Sequence, residues 1–142
     1  MRAIPVLFLA AGLATVASAE TFSKAYEFKP NTVLKVGADV GGGVRLDTVE
    51  FVLSHDDGSP GGLFSGPKVK VTISNLSDGS RKVGVAIAVA DAENRLVAVA
   101  SGGTKLFPLR AGRQIVYTLD IDGVMNELTH GSAFRISVEP RP

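Results

Sequence analysis

Residues 68–101 read KVKVTISNLSDGSRKVGVAIAVADAENRLVAVAS, and the alternation within this stretch decides the fold of the chain. In its first part Val69, Val71 and Ile73 alternate with polar side chains, the period of two that is typical of a strand with one buried and one solvated face. Residues 83–90 alternate four β-branched residues with glycine and alanine, which predicts one core face and one face of small residues. We therefore predict that this second strand lies in the middle of a sheet.

The tetrapeptide DAEN at 91–94 predicts a tight turn after this strand. Asp91 can accept hydrogen bonds from backbone N–H groups of the turn, and Asn94 tolerates a positive φ, which suits a type I turn that closes on a β-bulge. Residues 96–100 then return as the hairpin partner.

The same alternation continues on both sides of the central stretch. On the N-terminal side Val49 and Phe51 share one strand phase while Leu46 is out of phase with them, so a β-bulge is expected near residues 47–48. Further strands are predicted at 32–36, at 115–121 with Ile115, Tyr117, Leu119 and Ile121 inward, and at 134–138 with Phe134, Ile136 and Val138 inward. Residues 105–109 are expected to form a brief extended segment.

Apolar alternation and short turns dominate the whole chain, and only residues 122–129 show helical spacing. This pattern favours an all-β fold, a single antiparallel Greek-key β-sandwich of about seven strands with one short helical turn. No internal repeat or second core is visible.

The first 19 residues have the composition of a secretory signal peptide. Arg2 is the charged start, an apolar run covers 4–17, and ASA at 17–19 places small residues where a signal peptidase reads them. The run is shorter than the ~20 residues that a membrane-spanning helix needs. We therefore predict cleavage before Glu20 and export to the bacterial periplasm or the extracellular space.

Three parts are predicted along the chain: the signal peptide at 1–19, an N-terminal extended arm with a short strand at 20–43, and the β-sandwich domain at 44–142. The glycines within 37–43 lack the Gly-Lys-Ser/Thr ending and the following helix of a phosphate-binding loop. We expect this segment to be a flexible connection.

Composition argues against several classes of partner. The chain has no cysteine and so no disulfide framework, which is compatible with a bacterial protein. Without Arg2 the remaining 14 Lys and Arg equal the 14 Asp and Glu, and no long run of either sign occurs. Nucleic acids and anionic membrane surfaces both require a clustered positive surface, so neither is an expected partner. No membrane insertion of the mature chain is expected, and the oligomeric state stays open.

Three motifs lie at strand ends and turns of the central region: VTISN at 71–75, IAVAD at 87–91 and LRAG at 109–112. Here the chain resembles the FxLYD family and related immunoglobulin-like domains of bacterial envelope proteins, in which a strand ending in Asn, a strand ending in Asp at a turn and a later leucine-x-x-glycine turn recur. It departs from the family at Ile87, where the family has Phe, and at Ala90, where the family has Tyr. The resemblance implies an immunoglobulin-like sandwich with an accessory or unknown role.

Patterns that carry catalysis or bind metals are scarce. His55, Asp56 and Asp57 offer nitrogen and oxygen ligands, but the further spacings of a zinc or calcium site are missing, so a polar loop is favoured over a metal site. No Gly-x-Ser-x-Gly turn occurs that would hold a nucleophile beside a histidine. We predict that the chain is not an enzyme and needs no cofactor.

Two weaker binding candidates remain. Asp120, Asp122 and Glu127 form a second acidic group near the predicted helix, which Asp122 is expected to cap. Tryptophan is absent and the only tyrosines are Tyr26 and Tyr117, so the sequence lacks the aromatic platform expected of a sugar binder.

The face of small residues in 83–90 is a candidate interaction surface. Ala86 and Ala88 lack the charges usual on a solvated strand, so we expect something to cover them. Segments of the chain itself are expected ahead of a partner protein, and the aromatic residues Tyr26 and Phe28 of the arm are one possible cover.

The second possible cover is the polar loop at 54–67, which contains the apolar residues Leu63 and Phe64. These two side chains either pack back onto the core or present a contact surface, and packing is favoured.

Together these observations predict an exported, non-catalytic β-sandwich that acts as a protein-interaction or accessory module of the bacterial cell envelope. The candidate interaction surface consists of Leu63, Phe64, Ala86 and Ala88. The alternative is a small-ligand or carbohydrate-binding module that uses the loop at 54–67.

Overall fold

A computed structural model describes residues 21–53, 66–123 and 125–142. Within these ranges the chain forms nine strands and one short helix. In chain order they are β1 Phe22–Glu27, β2 Val33–Gly41, β3 Val44–Val52, β4 Lys68–Asn75, β5 Lys82–Ala90, β6 Leu96–Gly103, β7 Gln114–Asp120, β8 Asp122–Gly123, α1 Met125–Leu128 and β9 Ala133–Arg141.

The strands form two antiparallel sheets that pack face to face. One sheet has five strands in the order β1-β9-β5-β6-β8, and the other has four in the order β2-β3-β4-β7. Strands β4 to β7 make a Greek key, because β5 and β6 pair with each other in the five-stranded sheet and β7 then returns beside β4. The prediction of an antiparallel Greek-key β-sandwich is confirmed.

Strand β5 lies in the middle of the five-stranded sheet, between β9 and β6. Its β-branched residues Val83, Val85, Ile87 and Val89 are all buried and face the other sheet. The predicted position and phase of this strand are therefore confirmed. The opposing sheet supplies Val69, Val71 and Ile73 of β4, whose side chains are fully buried.

The phase change in β3 is accommodated by a β-bulge. The register between β3 and β4 shifts between Leu46 and Thr48, which leaves Asp47 as the extra residue. Leu46 and Val49 are consequently both buried although they are an odd number of positions, three, apart. The bulge that the sequence predicts is confirmed.

The segment from residue 21 to 43 contributes a strand to each sheet. Strand β1 pairs with β9, and β2 pairs with β3. The expectation of a flexible connection at 37–43 is wrong, because β2 continues to Gly41 and only Gly42 and Gly43 form a tight turn. The glycines are used for positive φ, at 61° for Gly37 beside a register shift and at 76° for Gly43 in the turn.

The aromatic residues of the arm pack against the core of the sandwich, Tyr26 partly buried and Phe28 buried. Tyr26 pairs in register with Phe134, so their side chains share the inner face of the sheet, and their ring centroids are 5.6 Å apart. Phe28 is buried against Phe51, with ring centroids 4.8 Å apart. The expectation that Tyr26 and Phe28 cover the outer face of β5 is therefore wrong.

The predicted strand at 115–121 corresponds to β7 with one residue beyond it. Tyr117, Leu119 and Ile121 are buried as predicted, but Ile115 is 38% exposed. Ile115 is the second residue of β7, which is an edge strand of its sheet.

Candidate interaction face

The outer side of the five-stranded sheet is built of small residues. Within the antiparallel register, Ala86 of β5 lies between Ser101 of β6 and Ser137 of β9. Directly opposite residues of an antiparallel pair share a face, so these three side chains form one row across the sheet. We call Gly84, Ala86, Ala88, Ser101 and Ser137 the small-residue face.

Two shallow depressions lie on the small-residue face. One has a volume of about 420 Å³ and the other of about 300 Å³, and Ala86, Ser101 and Ser137 line both. They are open hollows in a sheet surface rather than enclosed cavities. A partner with projecting side chains would fit them better than a ligand that must be enclosed on most sides.

Larger side chains border the small-residue face. Ala88 pairs with Val99 on one side and with Arg135 on the other, and Val99 is 41% exposed. Glu139 pairs with Gly84, and Asp122 pairs with Val99. The border therefore carries charges of both signs beside the apolar Val99, and beside Gly84 it also includes Lys82 and Arg141.

Hydrogen bonds order one side of this face. The Ser137 hydroxyl donates to the Ser23 hydroxyl at 3.1 Å, and the Arg135 guanidinium donates to the same Ser23 oxygen at 3.3 Å. Ser101 makes no side-chain hydrogen bond to any residue in the described ranges, and it is exposed. Its hydroxyl can therefore pair with a partner at little cost.

The structure brings together two of the four residues of the predicted interaction surface. Ala86 is exposed and Ala88 is half-buried on adjacent outward positions of β5. Leu63 and Phe64 lie outside the described residues, as does the His55-Asp56-Asp57 cluster.

Sequence reasoning missed Ser101 and Ser137. The alternation in β9 places Ser137 opposite in phase to Ile136 and Val138, so its outward direction is readable from the sequence. Its position beside Ala86 is not, because that position depends on the order of the strands.

The turn after β5 is held by Asp91. Its carboxylate accepts the backbone N–H of Glu93 at 3.0 Å and of Arg95 at 2.9 Å, and the Arg95 guanidinium at 2.8 Å. The pKa of Asp91 lies below its ordinary value, chiefly because the Arg95 backbone N–H donates a hydrogen bond to its carboxylate. Burial raises the pKa, but the hydrogen bonds and the Arg95 charge together outweigh it. Asn94 has a φ of 62°, and the register shifts between Val89 and Ala90, so the predicted turn and bulge are confirmed.

Asn75 joins the end of β4 to the loop after β6. Its side-chain amide donates to the backbone oxygens of Gly79 at 2.8 Å and Leu109 at 2.9 Å, and its backbone oxygen accepts the N–H of Gly112 at 2.8 Å. Two of the three motifs on which the family resemblance rests, at 71–75 and 109–112, are thus in direct contact.

A further polar cluster lies around the bulge in β3. Asp47 accepts hydrogen bonds from Arg45 and Ser74 at 2.5 Å each and from Gln114 at 3.0 Å. Burial favours the neutral acid, but these hydrogen bonds and the Arg45 charge together outweigh it and hold the pKa of Asp47 below its ordinary value. Ser74 donates its hydroxyl to a carboxylate here. In the described ranges no serine side chain hydrogen-bonds a histidine, so this cluster lacks the pairing of a serine nucleophile with a histidine base.

The second acidic group is dispersed. Asp120 forms an ion pair with Lys68, whose hydrogen bond and charge hold the pKa of Asp120 below its ordinary value. Asp122 lies in β8, three residues before α1 begins at Met125, so the expectation that it caps the helix is wrong. Across the described part of the chain, no group of three or more His, Cys, Asp or Glu residues is placed to hold a metal ion.

Comparisons with known proteins give no assignment. A scan against protein-family models and a search of curated proteins both find nothing that matches this chain. In the residues that the structure describes, no helix has the length and apolar character needed to cross a membrane.

Proposed function

We propose that the chain is an exported, non-catalytic β-sandwich of the bacterial cell envelope that binds another protein through its small-residue face. The observation that supports this is the row of Ser137, Ala86 and Ser101 across the three central strands, where a solvated sheet would normally carry charged side chains. Small side chains allow the backbone of a partner to approach closely.

The size of the sheet fits such a partner. Four strands of six to nine residues and the two-residue β8 form this sheet. With strands about 4.8 Å apart and a rise of about 3.3 Å per residue, its face measures roughly 500 Å². Each partner in a standard protein interface buries about 800 Å². The outer face could thus supply most of one side of an interface, and Arg135 at its border is a residue type that is enriched in interfaces.

The alternative is a small-ligand or carbohydrate-binding module that uses the loop at 54–67. Residues 54–65 of that loop lie outside the described residues. The shallow depressions on the small-residue face give a sugar little enclosure, and no tryptophan is available to stack against it. We therefore favour a protein partner.

Site-specific cross-linking tests the proposal. A photoreactive amino acid is placed at Ala86 and, as a matched control, at Thr118, an exposed outward position of β7 on the opposite sheet. Cross-linking in intact cells followed by mass spectrometry is expected to capture one defined protein from position 86 and not from position 118. Equal capture from both positions would refute the proposed face, and saturable binding of the full-length protein to a glycan without capture would support the alternative.

Export is tested separately. The intact mass of the protein released by the producing cells is expected to correspond to a chain that starts at Glu20, because residues 17–19 fit a signal peptidase site. A product that retains residues 1–19 would contradict the proposed location.

A further inference from the structure

The loop between β6 and β7 exposes two large apolar side chains side by side. Leu106 is 87% exposed and Phe107 is 84% exposed, the highest values among the large hydrophobic residues that the structure describes. The expected extended segment at 105–109 is only partly correct, because residues 105–107 form a bend and Leu109 makes a β-bridge with Arg81. Two adjacent apolar side chains in water need a reason other than folding.

The base of this loop is closed by hydrogen bonds. Thr104 donates its N–H to the oxygen of Val83 and accepts the N–H of Val83 on its hydroxyl, both at 2.9 Å. Leu109 and Arg81 exchange backbone hydrogen bonds of 2.8 and 2.9 Å. Residues 105–108 thus project from a fixed base, which holds the apolar pair outward instead of letting it fold back onto the core.

Cations lie on the two chain segments that meet at the base of this loop. The pairing of Arg81 with Leu109 brings together the segments 79–84 and 102–114. These segments contain no acidic residue and five cations, which are Arg81, Lys82, Lys105, Arg110 and Arg113. Within the described ranges Lys82, Lys105, Arg110 and Arg113 form no ion pair. The sequence distributes these charges over more than thirty positions, so the cluster becomes visible only in the fold.

Carboxylates also lie close to this region. Glu139 lines a depression together with Lys82 but is ion-paired with Arg141. Asp47 accepts a hydrogen bond from Gln114 but is ion-paired with Arg45. Asp78 immediately precedes the first segment, and Lys105 contributes to lowering the pKa of Asp120. Asp120 is already ion-paired with Lys68. The surface around Leu106 and Phe107 therefore keeps an excess of positive charge.

We propose that the loop Lys105–Pro108 docks the protein on an anionic lipid surface, with Leu106 and Phe107 entering the head-group region and the neighbouring cations contacting lipid phosphates. An apolar tip beside unpaired cations is the combination that peripheral membrane anchors use, and it reaches only ~5–10 Å into the interface. A purely apolar protein pocket would explain the exposed pair but not the unpaired cations.

The absence of tryptophan from the chain gives a direct test. Phe107→Trp creates a single indole reporter at the loop, and Leu96→Trp creates one at another exposed apolar position, 66% exposed in the parent, as the control. With vesicles of phosphatidylglycerol and phosphatidylcholine, the emission of the first variant is expected to shift to shorter wavelength and to be quenched by brominated acyl chains. The second variant is expected to keep the emission that it has in water.

Binding measurements complete the test. The double variant Leu106→Ser with Phe107→Ser is expected to partition roughly tenfold or more weakly onto anionic vesicles, since it loses two apolar anchors. Lys105→Gln with Arg110→Gln is expected to weaken binding and to reduce its dependence on salt, because fewer charges then contact the phosphates. The control Lys35→Gln with Lys70→Gln removes two exposed cations elsewhere and is expected to bind as the parent does.

The proposal is wrong if the parent protein does not bind anionic vesicles at low salt, or if it binds neutral vesicles equally well. It is also wrong if the loop variants bind anionic vesicles as strongly as the parent does. Thermal unfolding of each variant establishes that it is folded. Because the vesicles contain no protein, these outcomes are independent of the proposed protein partner.

Discussion

The side chain of Asn75 donates a hydrogen bond of 2.9 Å to the backbone oxygen of Leu109, so a fully buried amide connects the end of β4 to the loop after β6. The same amide donates to Gly79, and its oxygen accepts the backbone N–H and the hydroxyl of Ser77. One side chain therefore satisfies polar groups in two loops.

We expect Asn75→Ala to lower the free energy of unfolding by about 2–4 kcal/mol, because four hydrogen bonds of the Asn75 side chain are lost inside the protein. The oxygens of Gly79 and Leu109 each keep a second donor, whereas the Ser77 N–H loses its acceptor. Asn75→Asp keeps the size and an acceptor oxygen but cannot donate, so it is expected to be destabilising as well. Urea denaturation at neutral pH measures both. A loss below ~0.5 kcal/mol for the alanine variant would show that the two loops are held by other contacts.

The glycines of β2 and its turn allow a matched comparison. A Cβ added to Gly37, where φ is 61°, would meet nothing within 4 Å, whereas a Cβ on Gly43, where φ is 76°, would lie 2.7 Å from the Ser77 Cβ. Gly37→Ala is thus expected to cost only the backbone strain of about 1–2 kcal/mol. Gly43→Ala adds a steric clash and is expected to cost clearly more, and equal losses in denaturation experiments would contradict the close approach at Ser77.

The carboxylate of Asp91 predicts a specific dependence of stability on pH. Its pKa in the folded protein lies below the ordinary value of 3.8, chiefly because the Arg95 N–H donates to it. A group with a lowered pKa stabilises the fold above its ordinary value, and this contribution disappears as the pH falls through the lowered value. The difference in unfolding free energy between the parent and Asp91→Asn is therefore expected to be largest near neutral pH and to shrink below pH 3.8.

Denaturation at several pH values measures this difference. Glu93→Gln is the control, since it removes a carboxylate of the same turn that accepts no backbone N–H group among the described residues. If the difference in unfolding free energy between the parent and Asp91→Asn stays constant down to acid pH, the charge of Asp91 does not stabilise the turn.

Features set by neighbouring residues could be predicted from the sequence. The inward direction of Val85 and Ile87 follows from the period of two, and the bulge beside Leu46 follows from a break in that period. The turn at 91–94 was predictable because Asp and Asn have specific backbone roles.

Features set by the order of strands could not be predicted. Nothing local to Ala86 indicates that Ser101 and Ser137 are its neighbours, because these residues come from strands that pair only in the completed sheet. The cation cluster around Leu106 was missed for the same reason. Tyr26 illustrates a further limit, since the sequence predicts an extended arm but does not say which side of the sandwich the arm packs against.

Substitutions at two adjacent residues of β5 should differ strongly in their effect on stability. Ala86 is exposed on the small-residue face, so Ala86→Lys is expected to change the free energy of unfolding by no more than ~0.5 kcal/mol. Ile87 is 3% exposed in the core, so Ile87→Ala is expected to cost about 2–5 kcal/mol through lost burial and the cavity left behind. Urea denaturation of the two variants under identical conditions gives both values.

The variant Ala86→Lys also separates an effect on stability from an effect on partner binding. If the small-residue face meets a partner protein, the lysine at position 86 should block its capture while the fold stays intact, because a long charged side chain would occupy the centre of the contact. A loss of ~1–3 kcal/mol for Ala86→Lys would instead mean that another part of the chain covers the face, since burying the charge would then destabilise the monomer itself. Unchanged stability together with unchanged capture would exclude this face as the binding surface.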